Sequence, residues 1–151
     1  MKKIYFDNAA TTQISNEVVS VMSEVMKNNF GNPSSTHSFG RSSKALLELS
    51  RKYISEKLNV TPSEIIFTSG GTESNNMIIK SVVESLNVKR IVSTKIEHKA
   101  VLNSIETISK KKKLSLVFLD VDSFGNPDIN HLKKLLESSN EKTLVSLMHI
   151  N

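Results

Sequence analysis

Short apolar segments alternate with helical patterns from residue 64 to the end of the chain, and this alternation is the strongest constraint on the fold. The periodicity predicts strands at 65–67, 90–94, 114–119 and 143–149, and helices at 72–86, at 99–111 and after a cap at Asn130. Such alternation favours a parallel sheet with helices on both faces, so the expected fold class is three-layer α/β/α. Residues 143–149 are apolar almost throughout, which predicts a central buried strand.

Two further helices are predicted in the first sixty residues. The first follows a cap at Ser15 or Asn16 and stops at 28–29. A polar loop rich in turn-forming residues occupies 30–40, either as a surface connector or as a functional loop. The second helix begins at Ser42 and ends near Asn59. Its apolar spacing predicts a buried stripe of Ala45, Leu46, Leu49, Tyr53, Ile54 and Leu58.

The turn at 69–71 joins the first predicted strand to the next helix and contains two adjacent glycines, Gly70 and Gly71. Glycines allow positive φ and close approach of another group, and Thr72 is a suitable helix N-cap. A helix N-terminus after such a turn binds anions, most often phosphate. The alternative is a plain strand-to-helix connection without a ligand. The turn lacks the glycine spacing of a P-loop or of a dinucleotide-binding turn, which argues against ATP or NAD.

Polar residues follow three of the predicted strands. Gly71 and Thr72 come after the first, His98 after the second, and residues 149–151 after the last. Because ligands of parallel sheets bind at the carboxyl ends of the strands, we expect these three segments to converge on one site.

Composition narrows the classes of function. The chain has 151 residues and no cysteine, which excludes disulfides, cysteine-ligated metals and a cysteine nucleophile within it, and no metal site is predicted. No apolar run is long enough to cross a bilayer and the first residues lack a signal-peptide core, so we expect a cytoplasmic protein. The net charge is +5, but the lysines are dispersed except at 110–113, which is predicted to end a helix. Nucleic-acid binding therefore ranks last.

Five motifs, in their order and spacing, resemble the cysteine desulfurases of the NifS/IscS type, which belong to the class V aminotransferase family. They are YFDNAATT at 5–12, FGNPSSTHSFGR at 30–41, EIIFTSGGTESNN at 64–76, KIEHKAV at 95–101 and LVSLMHIN at 144–151. The resemblance implies the large domain of the type I fold of pyridoxal-phosphate enzymes. It also implies a homodimer that takes sulfur from L-cysteine, leaving alanine and an enzyme persulfide. That sulfur serves iron–sulfur cluster assembly or tRNA thiolation, through acceptor or scaffold proteins.

The resemblance also implies roles for individual residues. Gly71 and Thr72 match the residues that hold the phosphate of pyridoxal 5′-phosphate. His98 matches the histidine that stacks on the cofactor ring and relays protons, whereas without the motif it is a loop histidine before a helix. Asn151 matches the first of two asparagines, of which the second contacts the ring, and is a weaker candidate for cofactor binding.

Two loops carry further matched positions. Asn8, Ala9 and Thr11 match the loop that lines the substrate region, although a simple turn also explains them. His37 matches a loop near the active site and dimer interface, and we favour a structural role in which it fixes the loop by hydrogen bonds.

Several parts of the family pattern do not occur in this sequence. They are the aspartate that pairs with the pyridine nitrogen, the glutamine beside it, the lysine that forms the Schiff base, and the mobile cysteine. Lys44, Lys95 and Lys99 do not lie in an equivalent context. We therefore expect residues 1–151 to be the N-terminal portion of the large domain, incomplete at its C-terminus, with weak cofactor binding and no desulfurase activity.

Other readings stay open at this point. The complete protein could be a selenocysteine lyase or another class V aminotransferase. A reading of a different class is an inactive fragment or interaction module that pairs with a complementary chain.

Overall fold

The computed structural model describes residues 3–150, and the chain divides between Phe67 and Thr68 into two compact units, each described here by itself. In the first unit, α1 spans Asn16–Asn28 and α2 spans Ser38–Leu58, followed by a 3-10 turn at Pro62–Glu64. The predicted cap of α1 is confirmed, because the Ser15 hydroxyl accepts a hydrogen bond from the Val18 amide.

Helix α2 begins four residues earlier than the sequence predicted. Its N-cap is His37, whose Nδ1 accepts a hydrogen bond from the Gly40 amide at 3.4 Å. Gly40 is buried so tightly that an added Cβ would meet the carbonyl oxygen of Ser35. The prediction failed because residues 38–43, which include Gly40 and three serines, have the composition of a loop. Close backbone packing holds them in a helix instead.

The predicted buried stripe of α2 is largely wrong. Leu49, Tyr53 and Leu58 are 65%, 61% and 62% exposed, whereas the buried residues of α2 are Gly40, Ser43 and Ser55. Helical spacing identifies an apolar face, but burial requires a second surface packed against that face. Among residues 3–150, no second surface covers the side chains of Leu49, Tyr53 and Leu58.

The predicted strand at 65–67 is also wrong. The backbone at Ile65 is extended, yet no strand among the described residues pairs with it. Arg51 instead donates a hydrogen bond to the carbonyl oxygen of Ile65, and its guanidinium lies 4.9 Å from the centroid of the Phe67 ring. Ile66 is 63% exposed. An apolar run forms a strand only where a neighbouring strand takes its hydrogen bonds. Whether such a neighbour exists depends on the tertiary fold and cannot be read from the run itself.

The second unit contains a parallel three-stranded sheet in the order β2-β1-β3. Before it comes α3, Gly71–Ser85; then β1, Arg90–Thr94, α4, Lys99–Lys112, and β2, Ser115–Leu119. The unit ends with α5, Ile129–Glu137, and β3, Thr143–Val145. The predicted parallel sheet is confirmed, as is the predicted lysine-rich end of α4.

Three details of this unit differ from prediction. The central strand is β1, all five residues of which are buried, whereas β3 lies at an edge of the described sheet. β3 also has only three residues, fewer than the predicted strand at 143–149. The cap of α5 is Asp128, whose carboxylate accepts a hydrogen bond from the His131 amide at 2.9 Å, and Asn130 lies inside the helix. Asp128 was missed because it lies only two residues before Asn130, and both aspartate and asparagine are good N-caps.

The core of the second unit lies between α3, α4 and β1. It consists of Ile79, Val83, Val88, Ile91, Val101, Ile105 and Ile108. Ile91 and Val92 are both 0% exposed, and because neighbouring strand residues point to opposite faces, both faces of β1 are covered. Within the described residues no helix is long and apolar enough to cross a membrane.

The burial of Ile105 gives a first prediction. Ile105→Ala removes a side chain that is 0% exposed, so we expect a loss of about 2–5 kcal/mol in the free energy of unfolding. The matched control is Ile78→Ala on α3, where the side chain is 53% exposed and the loss should be small. Urea unfolding of both variants measures the difference, and equal losses would contradict the assignment of the core.

Candidate functional site

Among the α-helices of the described residues, α3 differs from the others because no side chain caps its start. Its N-cap is Gly70, and Gly71 is its first residue. The first amide of α3 that has a backbone acceptor is that of Ser74, the fourth residue of the helix, which donates to the Gly70 carbonyl oxygen at 3.1 Å. The amides of Gly71, Thr72 and Glu73 therefore have no acceptor among residues 3–150.

The two glycines leave this helix start open. Apart from the chain neighbours and the nearby backbone of α3, no atom of the described residues lies within 4 Å of a Cβ added at Gly70 or at Gly71. Neither glycine adopts the left-handed conformation, because Gly70 is extended, with φ 160° and ψ 178°, and Gly71 is helical. The prediction that Thr72 is the cap is also wrong, since the helix begins one residue before it. Three free amides beside open space fit an anion such as phosphate.

Hydrogen bonds within the turn fix the direction of these amides. The Glu73 carboxylate accepts a hydrogen bond from the Ser69 amide at 2.6 Å, and this bond, followed by one to the Ser69 side chain, lowers the pKa of Glu73 below its usual value. The hydroxyls of Thr68 and Ser74 lie 2.7 Å apart and join the two sides of the turn. Sequence reasoning missed the Thr68–Ser74 pair, which has no local signature.

His98 lies at the start of the next helix. It is the N-cap of α4, and its Nδ1 accepts a hydrogen bond from the Ala100 amide at 3.1 Å. This bond requires an unprotonated Nδ1, so the hydrogen of the neutral ring is on Nε2. His98 is exposed to solvent. The α4 backbone therefore sets the position of the imidazole ring.

A groove connects the two helix starts. It has a volume of about 320 Å³ and is lined by Thr72, Asn76, Lys80, Ala100, Asn103, Ser104 and Thr107. Thr72 belongs to the first turn of α3, and Ala100 is the residue whose amide binds His98. The structure thus brings the α3 start and the His98 region to one side of the second unit.

The other candidate residues lie in other segments of the chain. Asn8, Ala9 and Thr11 lie in the first unit, in an exposed turn where the amides of Ala10 and Thr11 donate to the Asp7 carbonyl. His149 is exposed and follows β3 by four residues. Asn151 lies outside the described residues.

Glu97 is a residue that sequence reasoning missed. It directly precedes His98, is 8% exposed, and has a buried Oε1 that finds no hydrogen-bond partner among residues 3–150. Only its position beside a candidate histidine could have drawn attention to it. Among residues 3–150, no group of three or more histidine or acidic side chains could hold a metal ion.

Comparison with known proteins identifies the family of the chain. Residues 4–151 match the model of the aminotransferase class-V family, and the chain belongs to that family. It is 42% identical over 152 residues to the cysteine desulfurase IscS of Dictyoglomus turgidum, covering 99% of this chain and 38% of the relative. It is also 38% identical to a mitosomal cysteine desulfurase of Trachipleistophora hominis, covering 99% of this chain and 34% of the relative.

Solved structures agree with the fold. A NifS-like protein superposes with a TM-score of 0.89 at 38% identity, covering 99% of this chain and 41% of that one. The apo cysteine desulfurase of Thermococcus onnurineus superposes with a TM-score of 0.84 at 28% identity, covering 98% of this chain and 37% of that one. The predicted fold class is therefore confirmed. The chain spans only about two fifths of the length of these relatives.

The lowered pKa of Glu73 predicts a pH-dependent contribution to stability. A carboxyl whose pKa is lower in the folded state stabilises the fold above its unfolded pKa, about 4.3 for glutamate, and loses that effect as pH falls through the lower folded value. Glu73→Gln should therefore lower the melting temperature at pH 7, and its difference from the wild type should shrink as the solution is made acidic. The control is Glu106→Gln, which removes a carboxylate at an exposed position of α4. A pH-independent difference for Glu73→Gln would contradict the prediction.

The cap formed by His98 predicts a second effect. His98→Ala leaves the first turn of α4 without its acceptor, which should cost about 0.5–2 kcal/mol of unfolding free energy. His98→Asp should retain most of the stability, because aspartate is a good N-cap, while the ring is lost. Urea unfolding compares the two variants, and an Asp variant as unstable as the Ala variant would show that capping is not what His98 contributes.

Proposed function

We propose that this chain is the N-terminal part of a pyridoxal-phosphate-dependent cysteine desulfurase. The complete enzyme would take sulfur from L-cysteine, with alanine and an enzyme persulfide as products, and pass the sulfur to acceptor or scaffold proteins. The observation that carries the proposal is the open, uncapped start of α3 in a chain of the aminotransferase class-V family.

The phosphate of pyridoxal 5′-phosphate suits the α3 start for two physical reasons. The free amides of Gly71, Thr72 and Glu73 are hydrogen-bond donors without acceptors, and the helix dipole adds partial positive charge at the same point. The missing Cβ atoms of Gly70 and Gly71 leave room for the phosphate oxygens. Thr72 adds a hydroxyl at the second position of the helix.

His98 is the residue that we assign to the face of the cofactor ring. Its cap on α4 holds the imidazole at a fixed place, and an imidazole is flat enough to stack on a pyridine ring. When bound, the cofactor supplies an electron sink for the bonds of the amino-acid substrate. The role of this chain is to bind the phosphate and orient the ring.

The other assignments follow from the family. Asn151 is proposed as a further cofactor-binding residue, and Asn8, Ala9 and Thr11 as residues of the substrate region. The chain is proposed to be the first part of a large cofactor domain that dimerises in the complete protein. The pathways proposed for the sulfur are iron–sulfur cluster assembly and tRNA thiolation, with the enzyme in the cytoplasm.

Gly71→Asp tests the phosphate site directly. A Cβ at the first position of α3 meets no atom of the described residues beyond its chain neighbours and the nearby helix backbone, and the helix dipole stabilises a carboxylate there. We therefore expect the fold to persist or become more stable. The same carboxylate repels a phosphate, so pyridoxal-phosphate affinity should fall at least about tenfold. The matched control is Ser81→Asp, which adds the same charge at an exposed position further along α3. Equilibrium dialysis measures both affinities.

Two outcomes would contradict this proposal. One is equal pyridoxal-phosphate affinity for the wild-type chain, Gly71→Asp and Ser81→Asp. The other concerns activity. The chain alone should release no alanine from L-cysteine, because it lacks the family's lysine and cysteine. Stoichiometric release of alanine would show that the assignment of missing parts is wrong.

A further inference from the structure

The carbonyl oxygen of Gly70 is held from both sides of the turn before α3. From the helix side, the Ser74 amide donates to this oxygen at 3.1 Å, and the Ser74 hydroxyl lies 3.3 Å from it. From the opposite side, the Thr68 hydroxyl lies 3.3 Å from the same oxygen. Three donor groups therefore surround the carbonyl oxygen of a residue that has no side chain of its own.

The two hydroxyls also hold each other. Thr68 Oγ1 and Ser74 Oγ lie 2.7 Å apart, and either of them can be the donor. When one hydroxyl donates to its partner, the hydrogen of the partner is left for the Gly70 oxygen. Both arrangements therefore place one hydroxyl hydrogen on that oxygen. Because both residues are half-buried, the pair is a fixed part of the turn.

The Gly70 carbonyl and the Gly71 amide belong to one peptide group. A peptide group is planar and trans, so its carbonyl oxygen and its amide hydrogen point in opposite directions. Holding the oxygen against Thr68 and Ser74 therefore directs the Gly71 N–H away from them, where it has no acceptor among residues 3–150. Such fixing matters here because glycine backbone rotates more freely than that of other residues.

We propose that Thr68 and Ser74 are positioning residues of the phosphate site, which aim the Gly71 amide at a bound phosphate without touching the phosphate themselves. The inference rests on the proposed function and adds to it the groups that set the direction of one donor. The bond from the Ser69 amide to Glu73 does not replace the pair, because it holds a different peptide group, the one between Thr68 and Ser69. Loss of the hydroxyls should therefore lower phosphate affinity rather than unfold the chain.

Amide NMR of the isotope-labelled 151-residue chain, titrated with inorganic phosphate, tests the proposal. The wild type should show saturable shifts at the amides of residues 71–73. Thr68→Val and Ser74→Ala should each weaken binding about threefold, because the remaining hydroxyl still reaches the Gly70 oxygen. The double variant should weaken binding about tenfold. Thr68→Ser retains the hydroxyl and should bind phosphate as the wild type does.

Urea unfolding of the same variants separates positioning from a general structural role. Alanine is the best helix former, so Ser74→Ala should change the urea midpoint little while its phosphate affinity falls. The matched controls, Ser50→Ala on α2 and Thr107→Val on α4, make the same two chemical changes in other helices. The Ser50 hydroxyl donates to the carbonyl of Leu46 at 2.9 Å, four residues earlier, which is the same spacing as from Ser74 to Gly70. Both controls should bind phosphate as the wild type does.

Three results would overturn the inference. Wild-type phosphate affinity in the double variant would remove the positioning role while leaving the phosphate site in place. A loss of affinity in Thr68→Ser as large as that in Thr68→Val would show that the hydroxyl is not what Thr68 contributes. Absence of saturable shifts at 71–73 in the wild type would remove the phosphate site itself and this inference with it. Failure of the proposed function is therefore distinguishable from failure of the positioning role alone.

Discussion

Parallel pairing of β1 with a neighbour on each side is the interaction on which the second unit depends. It fixes one direction for all three strands, and Ile91 and Val92, both 0% exposed, hold the sheet between its covered faces. The helices before and after β1 return along the sheet side by side. Thr72 and Ala100 consequently line one groove, and Glu84 pairs with Lys112 further along the same two helices. The direction of the strands therefore determines where the candidate site lies.

Helix capping then distinguishes the start of α3 from the starts of the other α-helices. The helices α1, α2, α4 and α5 each begin with a side chain that accepts an amide hydrogen, whereas α3 begins with glycine. A side-chain cap stabilises a helix but occupies the amides that an anion would use. The turn before α3 is instead stabilised from outside those amides, by Glu73 on the Ser69 amide and by the Thr68–Ser74 pair. This arrangement keeps the turn rigid and the helix start free.

The sequence predicted features that depend on local pattern and failed where burial or pairing decided. The bounds of β1, the cap of α1 and the start of α4 follow from periodicity and from residues within one turn. The strand at 65–67 and the buried stripe of α2 required partners that no local pattern reveals. At the candidate site, motif matching selected Gly71, Thr72 and His98. It could not identify Glu97, because a buried carboxylate oxygen without a partner in the described part of the chain is defined only by its surroundings.

The cap on α4 also restricts what His98 can do chemically. While Nδ1 accepts the Ala100 amide hydrogen, the neutral ring has only an N–H at Nε2, which can donate a hydrogen bond but has no lone pair for a proton. Proton uptake therefore requires Nδ1 to leave the amide, which removes the helix cap. The capped ring suits stacking and hydrogen-bond donation. A proton-relay role for His98 would couple each proton taken up to a local opening of the first turn of α4.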